Sequence, residues 1–156
     1  MSDVYVRRLE RIRDQHQAAS GALAYVSLDW YRSNLFNFPA LETVGAEDIR
    51  RASDEMETTY FIRLFSAFEG ILKEHLAANH ARLRVAEDVS AAWLIDRVAK
   101  LQKPPVSDTF RVRVHEVRKY RNFLVHSGGA LPAFIQFMEA LARLTRFVDK
   151  LPDPLH

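Results

Sequence analysis

The sequence predicts an all-α protein, a helical bundle of four long helices and one short one. Three observations predict it. Apolar residues recur at spacings of three and four along most of the chain, the period of one helix face. Only five glycines and six prolines punctuate 156 residues, too few for a sheet fold with many turns. The prolines fall between the periodic segments, where they end helices instead of interrupting them.

The first segment repeats at Val6, Leu9, Ile12, His16, Ala19, Leu23, Val26 and Trp30. It predicts a long helix from Asp3 to about Asn34. Phe36-Asn37-Phe38-Pro39 then breaks it, because the residue before a proline avoids helical geometry. A second long helix begins near Gly45-Ala46-Glu47-Asp48, with acids in its first turn. It runs through Ile49, Met56, Tyr60, Leu64, Phe68, Ile71 and His75 to about Asn79. A shorter helix follows a cap at Asp88 or Ser90 and covers Trp93, Leu94, Val98 and Leu101 before Pro104-Pro105 stops it. Ser107 and Asp108 are good caps for a fourth helix through Val125, and Gly128-Gly129 supplies its stop. Pro132 suits the first turn of a fifth helix, Ala133 to Leu151.

No repeat, low-complexity tract or long linker divides the chain, so residues 1–156 read as one domain, large enough to bury a core. Apolar content of 48% and charged content of 27% fit an ordinary soluble protein. The absence of cysteine excludes disulfides and thiolate metal sites and suits a reducing, cytoplasmic setting. No apolar run reaches the length of a membrane span, and the charged start Met1-Ser2-Asp3-Val4-Tyr5-Val6-Arg7-Arg8 does not read as a signal peptide.

Net charge is only +2, but its distribution is uneven. From Glu42 to Glu57 there are six acids against Arg50 and Arg51. From Arg97 to Arg121 there are eight Lys and Arg against Asp108 and Glu116. A local basic excess of this kind either steers an anionic partner or forms a solvated helix face.

That excess surrounds Arg121-Asn122-Phe123-Leu124-Val125-His126 at the end of the fourth helix. At about 100° per residue, Phe110, Val114, Val117, Leu124 and Val125 share one arc, and Arg121 falls inside it. Arg118 lies at the edge of the arc, with Asn122 and His126 further round and His115 on the same polar flank. A charge among apolar positions is costly unless it is paired or has a task. Read structurally, Arg121 makes a salt bridge and His126 favours the negative end of the helix dipole.

The segment resembles the HEPN superfamily, helical domains found in prokaryotic RNase toxins and their relatives. The family's mark is an arginine, often followed by asparagine, with a histidine a few residues on at a helix end. Arg121, Asn122 and His126 match it, and Tyr120 and Ser127-Gly128-Gly129 look like family members. Thr59-Tyr60-Phe61-Ile62-Arg63-Leu64-Phe65-Ser66-Ala67-Phe68-Glu69 resembles the family's earlier, aromatic-rich helix. In architecture the likeness covers about residues 46–151; in detail it covers these two segments.

The resemblance implies a homodimer whose motifs meet across the seam, and metal-independent RNA cleavage with no cofactor. The 2′-hydroxyl attacks the adjacent phosphate and leaves a 2′,3′-cyclic phosphate and a 5′-hydroxyl. Histidine is the side chain that titrates nearest neutrality, so His126 suits proton transfer. Arginine offers a planar fork of donors, so Arg121 suits phosphate binding and stabilisation of developing charge. Asn122 would orient the histidine or bond the substrate, and Arg118 and Lys119 would hold the RNA backbone. Glu69 is the candidate partner for an inward Arg121. The resemblance also admits an antitoxin or a nucleotidyltransferase-type partner. The alternative is a non-catalytic module that binds RNA, a nucleotide or a protein.

Competing constellations are thin. There is no Walker-type phosphate loop, no Gly-rich dinucleotide turn and no Glu-x-x-His pair. His75 and His80 miss the four-residue step that stacks helical metal ligands. His16 sits on the core stripe of the first helix and reads as a packed, hydrogen-bonded histidine. Trp30, Tyr31, Phe36 and Phe38 read as helix-end packing or as a platform for stacked bases.

Overall fold

The computed structural model describes residues 3–31, 44–80, 88–126 and 130–152. Among these residues all regular structure is helical: α1 (Asp3–Tyr31), α2 (Ala46–Asn79), α3 (Ala91–Leu101), α4 (Asp108–His126) and α5 (Phe137–Val148). The predicted end of the first helix near Asn34 and the Gly128-Gly129 stop lie outside the described residues. So do the side chains of Trp30 and Tyr31, and Phe36 and Phe38.

Capping explains most of the boundaries. Gly45 precedes α2, and the Asp48 carboxylate accepts its N–H at 2.9 Å, satisfying a donor that a helix start leaves unpaired. Ser90, not Asp88, caps α3, its hydroxyl accepting the Trp93 N–H at 3.3 Å. The Ser107 carbonyl accepts the Phe110 and Arg111 N–H groups, each at 3.0 Å, and opens α4.

α2 touches each of the other helices. Its buried stripe is Phe61, Leu64, Phe65, Phe68, Ile71, Leu72, His75 and Leu76, an arc about 140° wide at about 100° per residue. α1 runs antiparallel to α2, and the contacts that tie the two include three short polar ones. These are Arg8–Glu74 at 2.6 Å, Arg63–Gln15 at 2.9 Å and His16–Glu57 at 2.6 Å. Tyr5 and Leu9 supply its buried apolar contacts, with Val6 and Ile12 packed beside them. Leu94, Ile95 and Val98 of α3, Val114 and Val117 of α4, and Leu144, Phe147 and Val148 of α5 complete the core.

α5 departs from the sequence expectation. It starts at Phe137, and Pro132 lies in a non-helical approach, not in a first helical turn. The reason is the burial of Ile135, which is 4% exposed. A helix begun at Ala133 would turn Ile135 about 180° away from Leu144, at about 100° per residue. A non-helical approach frees Ile135 to bury itself in the same core as Phe137, Ala140, Leu141 and Leu144. α4 also sits rotated from its predicted face. Tyr120 is buried and Val125 is exposed, so the inward arc centres nearer Val117.

His75 is the buried polar residue of α2 and lies between Asn79 and Gln102. The Asn79 amide nitrogen donates to the His75 carbonyl at 3.1 Å and faces Nδ1 at 3.2 Å, and the Gln102 amide nitrogen faces Nε2 at 3.3 Å. Burial, and then the charge of neighbouring His80, push the His75 ring below its ordinary value.

Two outcomes follow from this core. Phe68 is fully buried between Phe65 and Phe147, at ring-centroid distances of 5.8 and 5.6 Å. Phe68→Ala should cost about 3–5 kcal/mol in denaturant unfolding, through lost burial and the cavity left behind. For His75 the folded state favours the neutral ring, while the unfolded chain takes up its proton near pH ~6.5. The stability it contributes is full above that pH and is lost as pH falls toward the lower folded-state value. Unfolding midpoints measured from about pH 7 down to about pH 5 should fall less steeply in His75→Gln than in the wild type.

Candidate functional site

The end of α4 places the motif. Arg121 and His126 are five residues apart, about 140° around the helix and about 7.5 Å along it. Arg121 turns toward α2, and His126 turns toward the chain that leads into α5.

On the α2 side, Arg121 Nη2 lies 3.7 Å from Glu69 Oε2, with both side chains about three-quarters buried. The guanidinium carbon sits 5.7 Å from the Phe65 ring centroid, a cation–π contact. Nη1 donates to Asn122 Oδ1 at 3.2 Å. Nε is buried with no hydrogen-bond partner among the described residues. A guanidinium carries five N–H donors. Asn122 accepts one, and at 3.7 Å Glu69 supplies charge but no short hydrogen bond. The arginine is therefore held and charge-balanced, with donor capacity to spare.

On the other side, His126 is exposed in an open concavity of about 410 Å³ with Lys119, Asn122, Phe123 and Leu131. Asn122 joins the two halves: it accepts from Arg121 and lines the concavity that holds His126.

Arg118 and Lys119 part company. Lys119 shares the His126 concavity. Arg118 Nε donates to His115 Nδ1 at 3.3 Å, and His115 Nε2 donates to Asp96 Oδ1 of α3 at 3.0 Å. Asp96 Oδ1 also accepts from Arg111 Nη1 at 3.2 Å. Burial alone would push the Asp96 carboxyl up. The His115 hydrogen bond, with the charges of His115, Arg111 and Lys100, outweighs burial and holds it below its ordinary value. Asp96 carries no local sequence signal, because its hydrogen-bond partners, His115 and Arg111, lie on α4. Tyr120, next to Arg121, faces Phe61 edge-on at 5.0 Å, and burial pushes its phenol up.

Among the described residues no group of three or more His, Asp or Glu side chains is arranged to hold a metal ion. No helix among them is long and apolar enough to cross a membrane. Comparison with protein-family models, with characterised proteins and with solved structures finds no match to this chain.

The Arg121–Glu69 pair makes a stability prediction. It is about three-quarters buried, so its coupling should exceed that of a fully exposed pair yet fall short of a deeply buried one. A double-mutant cycle over Arg121→Ala and Glu69→Ala should return about 1 kcal/mol of coupling in denaturant unfolding. A value near zero would show that the two charges do not interact across the α2–α4 seam.

Proposed function

We propose that this chain is a metal-independent endoribonuclease of HEPN type, acting as a homodimer in a toxin or defence role. The observation that carries the reading is the end of α4, where Asn122 links a donor-rich Arg121 to a concavity holding His126 and Lys119. The resemblance of the Arg121-Asn122-x3-His126 pattern and of the Thr59–Glu69 segment to that superfamily supports the same reading.

The reaction uses these groups as follows. Arg121 binds the non-bridging oxygens of the scissile phosphate with unspent N–H donors and stabilises the charge that builds there. A histidine removes the proton of the 2′-hydroxyl as its oxygen attacks phosphorus. The bond from phosphorus to the 5′-oxygen breaks, and a second histidine protonates that leaving oxygen. One chain supplies one His126, and a second copy supplies the other. Lys119 contacts the RNA backbone beside His126. The turn of about 140° between Arg121 and His126 favours such a composite site, since one chain presents the two side chains to different neighbours.

A specific observation favours a second reading. Arg121 has an acidic partner and an aromatic one in Glu69 and Phe65, as a purely structural arginine in an interaction module would.

RNA cleavage in EDTA separates the two readings. The wild type should cut, and Arg121→Ala and His126→Ala should each lower the rate by about 10²-fold or more while remaining folded. Lys119→Ala should weaken RNA binding and reduce its salt slope by about one. If folded wild-type protein cuts no RNA and Arg121→Ala chiefly lowers thermal stability, the structural reading holds.

A further inference from the structure

An open cavity of about 520 Å³ lies between α1, α2, α4 and the chain entering α5, away from His126. Its size falls in the range of small-molecule sites, roughly 300–1,000 Å³. Its chemistry is one-sided. Asp54 and Glu57 line it, with the rings of Phe61, Tyr120, Phe134 and Phe137, and no lysine or arginine is among the lining residues.

Each carboxylate has one partner outside the cavity's aromatic wall. Glu57 Oε1 accepts from His16 Nε2 at 2.6 Å. His16 Nδ1 is buried with no hydrogen-bond partner among the described residues, so a proton there would be an unmet donor. Asp54 bonds Arg50 at 3.1 Å, but Arg50 also serves Glu47 at 2.7 Å and lies outside the lining. One solvent-exposed arginine is therefore shared between two acids, and such pairs are strongly screened.

The rings supply the complementary part. His16 stacks on Phe137 at 4.0 Å between centroids, Phe61 meets Tyr120 edge-on at 5.0 Å, and Phe134 meets Tyr120 edge-on at 5.7 Å. Phe134 is 73% exposed, which leaves much of its ring open to a ligand. Aromatic faces attract cations, and two carboxylates beside them repel phosphates and other anions.

We propose that this cavity binds a small organic cation, a primary amine on an aromatic body. The ammonium meets Asp54 and Glu57, and the body meets Phe134 and its neighbouring rings. The proposal is independent of the ribonuclease reading.

Calorimetric titration with tryptamine tests it, with indole-3-propanoate as a probe of similar shape and opposite charge. The wild type should bind the amine and not the acid. Asp54→Asn and Phe134→Ala, both at exposed positions, should each weaken amine binding by about tenfold or more. Equal binding of the acid, or unchanged affinity in both folded variants, would overturn the proposal. So would the absence of amine binding to folded wild type at millimolar concentration. A blocked lysine amide that binds more tightly than tryptamine would overturn it too, by making the cavity a socket for a protein side chain.

Discussion

The structure depends on α2 burying one broad apolar face against every other helix at once. Phe65 and Phe68 stand at the middle of that face, and Phe68 meets Phe147 of α5 edge-on. A face shared in this way fixes the helices relative to one another, because tightly packed interiors tolerate little sliding. Glu69 follows Phe68 directly, so the packing that seats Phe68 also sets where the carboxylate meets α4. The position of Arg121 against Glu69 and Phe65 is thus a consequence of core packing.

The same constraint divides the motif. An arginine inside the inward arc of α4 faces α2, and a histidine five positions later does not. Asn122 accepts from Arg121 and lines the concavity that holds His126. The two side chains face different neighbours, which is why the proposed ribonuclease reading calls on a second copy.

Much of this was legible in the sequence, and the reasons are particular. Spacing and caps placed α2, α3 and α4 because those signals are local: Ser90 before Trp93, Asp48 behind Gly45, Ser107 before Phe110. The inward setting of Arg121 followed from helical angle alone. The start of α5 did not, because Pro132 fits a helix start equally well, and only the burial of Ile135 shows that the chain is not helical there. Tyr120 and Val125 exchanged places for a related reason: their angular positions lie at opposite edges of the arc, and neighbouring helices decide which edge is covered. The Asp96–His115–Arg118 chain and the His16–Glu57 contact were not legible, since each joins residues on different helices. One of these, His115 with Asp96, draws Arg118 away from the His126 concavity that Lys119 shares.

The central claim is that the end of α4 cuts RNA through the neighbouring 2′-hydroxyl, and the chemistry of the ends tests it most directly. RNA incubated with the protein in EDTA is analysed by mass spectrometry for its new termini. The account predicts 2′,3′-cyclic phosphates and 5′-hydroxyls. Fragments with 5′-phosphates and 3′-hydroxyls, or RNA left intact by folded protein, would contradict it.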